Sequence, residues 1–211
     1  MPGYWDTRFT IEETGTYYLM LHEEYPYEEF IPYWLELLLV DRPLLLSFAG
    51  SGTVGGVAFA PGDIVRYSPL NDSWQLFFDA SDMGLRGNLV AFDGSDSLFL
   101  TFASAQNVPE VGAIRPHDII QFYGETVDGQ TTGQLSLFVD GSDVGLTTAA
   151  ESIDALGGGY DVVISTKGNA RLPMAVGALL VQANDAVRLR IDRSGSEWQA
   201  AACRRLISSN E

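Results

Sequence analysis

Two acidic turns carry residue types that could bind a cation. Asp79 and Asp82 stand three residues apart, and Asp140 and Asp143 repeat this spacing within an Asp-x-Ser-Asp-x-Gly-Leu pattern. Paired carboxylates with a hydroxyl and backbone carbonyls between them suit Ca²⁺, which takes about six to eight oxygen ligands in irregular loops. The spacing therefore makes these four aspartates candidate ligands for calcium as a cofactor.

A structural interpretation of the same turns is favoured over calcium. Asp and Ser side chains bind backbone amides in turns, and Gly supplies a positive φ. The turns are shorter than an EF-hand loop and lack its distal Glu. A third copy, predicted at Cys203–Leu206, has lost both acids. We therefore expect structural turns, and calcium binding stays open as the alternative.

The other polar residues give little sign of catalysis. Asp63, Asp118 and Asp185 each start a strand, where a short acid is expected to bind backbone amides. His117 precedes Asp118, but adjacent strand residues point to opposite faces, so the two do not form a general-base pair. No Ser lies in a Gly-x-Ser-x-Gly turn. We predict that the chain is not an enzyme, and a hydrolase domain is the weakest alternative.

An acidic and aromatic segment near the amino terminus is a second candidate for binding. Residues 23–33 combine four Glu with three Tyr and one Phe. Aromatic rings beside carboxylates are used by sugar-binding and protein-binding surfaces. The alternative is a solvated connection whose rings fold back onto a sheet.

The composition excludes several classes of protein. The formal net charge of −16 disfavours nucleic acid and anionic membranes as partners. One Cys and two His exclude an intrachain disulfide, a Cys-based zinc site and a multi-His metal site. No apolar run approaches the roughly 20 residues of a membrane span, and no signal peptide is visible in this chain.

Short apolar runs separated by Gly, Pro, Asp and Ser predict an all-β fold. The runs recur in the same order about every 55 to 67 residues, which indicates internal repeats. Asp41–Pro43 breaks the chain, so we expect a hairpin segment in residues 1–42 and repeats in residues 43–211. The repeats are expected at about 43–86, 87–150 and 151–211.

The repeats open alike at Leu44–Phe48, Leu98–Phe102 and Val162–Thr166, and these opening strands are apolar on both faces, as in Leu44–Leu46. Such a strand must be covered on two sides, as it is in stacked propeller blades. We therefore predict about three four-stranded, propeller-like units in an incomplete ring. A closed threefold, trefoil-like barrel of twelve strands is the alternative.

Two resemblances accompany this pattern. Phe9, Thr14–Leu19 and Tyr33–Leu37 resemble the last hairpin of the bacterial pre-peptidase C-terminal domain, and the match spans residues 7–40. Residues 44–192 resemble tandem, propeller-like β-repeats of uncharacterised exported bacterial proteins, through Asp140–Leu146 and its copy Asp79–Leu85. The second resemblance implies a non-catalytic domain at the cell surface or in the secreted fraction.

Together these features predict a non-enzymatic binding or scaffold module of an exported bacterial protein. A calcium-dependent carbohydrate-binding module is the alternative. The ligand, whether protein or carbohydrate, is not specified by the sequence. We expect a secreted or cell-surface location as part of a longer protein. A stack of three units also leaves apolar end faces, which predicts self-association or dependence on flanking domains.

Overall fold

The computed structural model describes residues 43–94, 97–159, 162–173, 177–183, 185–194 and 197–207. All of these residues belong to one compact unit. The predicted hairpin segment, the acidic and aromatic segment and the stretch that resembles the pre-peptidase domain lie outside the described residues.

The described residues form seventeen strands and one 3₁₀ turn, which confirms the all-β class. The strands are β1 Leu44–Leu46, β2 Gly52–Val54, β3 Val57–Phe59, β4 Ile64–Ser68, β5 Ser73–Phe78, β6 Leu89–Asp93, β7 Leu98–Phe102, β8 Gln106–Val108, β9 Gly112–Ile114, β10 Ile119–Val127, β11 Gln130–Val139, β12 Ile153–Gly157, β13 Val163–Thr166, β14 Ala170–Pro173, β15 Ala178–Val181, β16 Ala186–Ser194 and β17 Glu197–Ile207. The 3₁₀ turn is Ala149–Glu151.

The strands pair into three larger antiparallel sheets in the orders β1-β4-β5, β6-β7-β10-β11 and β12-β13-β16-β17. Each sheet carries an inserted hairpin, which is β2–β3, β8–β9 or β14–β15. We refer to strands β1–β5 as unit 1, β6–β11 as unit 2 and β12–β17 as unit 3. Within the described residues, unit 1 has three strands in its main sheet where the other two units have four.

Two predictions about this architecture are wrong. The described strands form separate sheets and no closed barrel, so the trefoil-like alternative does not apply. The predicted third turn, Cys203–Leu206, lies inside β17 and pairs with β16, for example Cys203 with Leu189. Residues 203–206 continue as a strand because they lack the Asp and Gly residues that follow β5 and β11.

One hydrophobic core lies between units 1 and 2, and a second lies between units 2 and 3. Alternate residues of β7 face opposite ways, so Leu98, Leu100 and Phe102 join unit 1 residues in the first core. Phe99 joins unit 3 residues in the second core. All five residues of β7 are buried, which confirms the two-sided burial predicted for this strand. In β1 the same expectation is wrong, because Leu44 is 55% exposed.

The two junctions between units repeat the same backbone bonds. Residues 79–85 directly follow β5, and residues 140–146 directly follow β11; we call these segments the first and second connectors. The amide of Leu89 donates to the carbonyl of Pro61 at 3.0 Å, and that of Ile153 donates to Pro116 at 3.1 Å. The first strand of each following unit is thereby fixed to the unit before it.

Candidate functional site

The strand-start aspartates hold the connectors in place. Asp63 accepts hydrogen bonds from the amides of Ala60 at 2.7 Å and Ala80 at 3.0 Å. Ala60 lies in the turn before Asp63 itself, whereas Ala80 lies in the first connector. One buried carboxylate therefore joins the turn before β4 to the turn after β5.

Asp118 repeats this arrangement at the second junction. Its carboxylate accepts from the amides of Arg115 at 2.7 Å and Gly141 at 2.9 Å. Asp185 accepts from the amide of Gln182 at 2.9 Å in unit 3. These bonds confirm the structural role predicted for the three aspartates, all of which are buried.

Burial and neighbouring charges shift the pKa of Asp63. Burial raises the pKa of Asp63 above 3.8, the bonds from Ala60 and Ala80 lower it, and the charges of Asp79 and Asp82 raise it again. The net shift of the pKa is upward. The hydrogen bonds therefore favour the ionised form of the Asp63 carboxylate, whereas burial and the two neighbouring acids disfavour it.

The first acid of each connector folds back on its own turn. Asp79 accepts from the amide of Ser81 at 2.8 Å and from its hydroxyl at 2.7 Å. Asp140 accepts from the amide of Ser142 at 2.9 Å and from its hydroxyl at 2.6 Å. This is the Asx-turn geometry expected of a structural turn.

The second acids of the connectors are both exposed. Asp82 accepts from the amide of Thr131 at 2.7 Å, which ties the first connector to the β10–β11 hairpin. Asp143 lies at the corresponding position of the second connector, in a different junction. The structure thus groups the four predicted calcium ligands as two separate pairs, Asp79 with Asp82 and Asp140 with Asp143. Within the described residues no cluster of three or more His, Cys, Asp or Glu side chains is arranged to hold a metal ion. Calcium binding stays a prediction.

His117 lies at the second junction. It is 5% exposed, and neither ring nitrogen has a hydrogen-bond partner in the described part of the chain. Both oxygens of Asp118 are occupied by backbone amides, so the carboxylate does not bond the ring. Glu151 lies within electrostatic range of His117 and accepts from the amides of Thr147 and Thr148. Burial raises the pKa of Glu151, but the hydrogen bonds from these amides and from the Thr148 hydroxyl, together with the electrostatic effect of His117, outweigh it, so the pKa is lowered from 4.5.

The β10–β11 hairpin closes over the first connector. Its turn residues Asp128 and Gly129 have φ values of 52° and 79°, as a type I′ turn requires. The amide of Asp79 donates to the hydroxyl of Thr131 at 2.7 Å, and the hydroxyl of Thr126 donates to the carbonyl of Phe77 at 2.7 Å. The two threonine hydroxyls also lie 2.8 Å apart. We call this set of bonds the threonine clasp.

A glycine pair allows the two strands of this hairpin to come close. Gly124 of β10 faces Gly133 of β11. A Cβ on Gly124 would lie 2.2 Å from the Thr132 carbonyl oxygen, and one on Gly133 would lie 2.3 Å from that of Tyr123. The Phe122 ring occupies the space over both glycines, where a Cβ on either would approach within 2.8 Å. Glycine is therefore required at both positions for this close backbone approach.

A cleft opens between units 1 and 2 beside the clasp. Its volume is about 530 Å³. Unit 1 supplies Arg66, Gln75 and Phe77, and unit 2 supplies Phe122, Tyr123 and Glu125. Tyr123, Gln75 and Glu125 are exposed, while Phe122 is buried in the first core. Aromatic rings beside amide, guanidinium and carboxylate groups can stack on a ligand and hydrogen-bond its hydroxyls.

Neither the clasp nor the cleft was predicted from the sequence. The Asp-Gly dipeptide at 128–129 is a recognised hairpin signal, from which a turn between Thr126 and Thr131 could have been predicted. Nothing in the sequence pattern indicated that this turn would reach Asp79 and Asp82, about 50 residues earlier in the chain. The cleft could not be found because its two walls come from different units.

Comparisons with family models, with curated proteins and with solved structures found no match to this chain. The two resemblances noted from the sequence therefore stay predictions. Among the described residues, no helix has the length and apolar character needed to cross a membrane.

Proposed function

We propose that residues 43–211 act as a non-enzymatic binding or scaffold module of an exported bacterial protein, built from propeller-like units in an incomplete ring. The observation that carries the proposal is the repeated junction, in which a buried Asp bonds the following connector. Propeller blades have the same general plan, with four antiparallel strands packed face to face against their neighbours.

The use of the acidic residues supports a structural and binding role over a catalytic one. Asp63, Asp118 and Asp185 accept from backbone amides, and Asp79 and Asp140 close their own turns. A general acid or base needs a carboxylate that can exchange protons with a substrate. These five carboxylates are instead bonded to donors that belong to the fold.

The cleft between units 1 and 2 is the place where the proposed module would bind a ligand. Its walls combine the Phe77 and Tyr123 rings with the polar ends of Gln75 and Glu125. A saccharide fits this chemistry because its C–H faces stack on rings while its hydroxyls bond amides and carboxylates.

A glycan array followed by titration calorimetry tests this function. We expect Gln75→Ala and Glu125→Ala to weaken binding of any retained glycan by about tenfold each, since each removes one hydrogen-bonding group. Gln130→Ala at the exposed hairpin tip is the matched control and should bind as the parent does. Each bound glycan should be recovered intact by mass spectrometry, whereas cleavage products would support the hydrolase alternative.

A calcium-dependent carbohydrate-binding module is the second candidate, because the first connector and the cleft meet at the same hairpin. Saturating Ca²⁺ would then stabilise the fold by about 2.7 kcal/mol at a hundredfold excess over Kd. Asp82→Asn and Asp143→Asn should each reduce that gain, and Asp154→Asn, outside the connectors, should not. A melting curve that is unchanged across millimolar Ca²⁺ would leave the turns as purely structural features.

A further inference from the structure

Five positions recur in each unit and form one surface, which we call the receiving face; all of them are apolar except Thr166 of unit 3. In unit 2 they are Leu98, Leu100, Phe102, Val108 and Ile114, with exposures of 7, 0, 1, 1 and 3%. In unit 3 they are Val162, Ile164, Thr166, Leu172 and Val181, with exposures of 1, 2, 1, 1 and 2%. The unit 2 residues pack with unit 1, and the apolar unit 3 residues pack with unit 2. Each receiving face is therefore buried by the unit that comes before it.

The receiving face of unit 1 is partly exposed. Leu44 and Leu46 correspond to Leu98 and Leu100 and are 55% and 36% exposed. Phe48, Val54 and Phe59 hold the other three positions and are half-buried, and the two Phe rings stack at 4.4 Å. The residue types are as apolar as in units 2 and 3, so the difference lies in what covers them.

The opposite surface of each unit, its forward face, packs on the receiving face of the next unit. In unit 2, Phe99 and Ile119 supply this surface and are 1% and 0% exposed under unit 3. Val163 and Ala186 hold the corresponding positions in unit 3 and are only half-buried. The described stack thus ends in one receiving face and one forward face, which are the two surfaces that meet at each internal junction.

We propose that the receiving face of unit 1 docks a second copy of this chain, through the forward face of that copy's unit 3. The same pair of faces already forms two junctions within the chain, so the contact continues an interface that the molecule makes. Because the two faces differ, the contact is head-to-tail, and it generates rings or open chains of copies. The net charge of −16 on each copy opposes the contact, so salt should strengthen it.

Sedimentation velocity on the full chain tests the proposal, between about 1 and 100 µM protein and at about 0.05 and 0.5 M NaCl. We expect association that rises with protein concentration and with salt. Leu44→Glu, on the receiving face, and Ala186→Glu, on the forward face, should each raise Kd by more than about tenfold. Leu180→Glu, at a residue that is 66% exposed and lies on neither face, should associate as the parent does.

Mixing the two interface variants gives the decisive measurement. Leu44→Glu retains a forward face and Ala186→Glu retains a receiving face, so their mixture should form a dimer that grows no further. If Ala186→Glu melts below the parent, Val163→Glu replaces it on the same face. A parent chain that stays monomeric at the highest concentration would overturn the proposal. So would association that both variants leave unchanged, or a mixture that forms no dimer.

Discussion

The two connectors share a sequence pattern and a structural bond, yet they differ in their surroundings. In each connector a backbone amide donates to a buried Asp: Ala80 donates to Asp63, and Gly141 donates to Asp118. The first connector is also held by the threonine clasp and by the Thr131 amide, which donates to Asp82. The second is followed by the 3₁₀ turn and lies against His117. The motif therefore specifies the turn, and the neighbouring hairpin or loop determines what the turn is bonded to.

The largest effect is expected at the strand-start aspartates. Asp118→Ala removes the acceptor of two amides and leaves the buried Gly141 amide without it, so the free energy of unfolding should fall by about 3–4 kcal/mol. Asp63→Ala should cost less than Asp118→Ala, because the pKa of Asp63 is raised by burial and by the charges of Asp79 and Asp82, which disfavour its ionised form. Urea denaturation followed by Trp fluorescence measures both values. Equal losses would show that these neighbouring charges do not matter at the first connector.

The next effect concerns how tightly each connector packs. A Cβ on Gly141 would lie 2.3 Å from the His117 carbonyl oxygen, which is backbone and cannot easily move. Gly141→Ala should therefore lower the free energy of unfolding by about 2–3 kcal/mol. The first connector has Ala80 at this position and Gly62 opposite it, whereas the second has Gly141 opposite His117. The larger residue therefore lies on the connector in the first junction and on the facing turn in the second. Ala80→Gly, the reverse change, should cost only about 1 kcal/mol. A Gly141→Ala chain as stable as the parent would contradict this steric account.

The fold could be predicted from the sequence to the level of strands and their order. Short apolar runs predict strands that match β5, β6, β7 and β12 to within about two residues, namely Trp74–Phe78, Asn88–Phe92, Leu98–Phe102 and Ser152–Leu156. The turn predicted at Cys203–Leu206 was wrong because its position in the repeat was its only support, and it has none of the Asp and Gly residues of the other two turns. An antiparallel partner, β16, extends β17 through that position instead.

The candidate site was less accessible to sequence reasoning for a physical reason. The bonds of Asp79 to Ser81 and of Asp140 to Ser142 are local, and local bonds follow from residue type and spacing. The bond from Thr131 to Asp82 closes about 50 residues of chain. Exposure of Leu44 likewise depends on a neighbour, because β1 and β7 have similar sequences and opposite degrees of burial.

A smaller effect is expected from breaking the threonine clasp. Thr131→Val keeps the shape of the side chain but removes the hydroxyl that accepts from Asp79 and contacts Thr126. Its side chain is 3% exposed, so the free energy of unfolding should fall by about 1–2 kcal/mol. Hydrogen exchange should show faster exchange at the first connector and unchanged exchange at the second. Ser142→Ala, in the second connector, is the control and should produce the reverse pattern.

The smallest and most specific effect is a difference in pH dependence between Asp63 and Glu151. The folded-state pKa of Asp63 is raised above 3.8, so its protonated form favours folding. That contribution is fully present below pH 3.8 and is lost as the pH rises through the folded-state pKa. The pKa of Glu151 is lowered from 4.5, so its contribution is present above pH 4.5 and is lost as the pH falls through the folded-state value. Urea denaturation of Asp63→Asn and Glu151→Gln between about pH 3 and 7 separates the two groups. Relative to Asp63→Asn the parent should lose stability as the pH rises, and relative to Glu151→Gln it should gain stability. Slopes of the same sign would mean that the two junctions do not differ in their electrostatics.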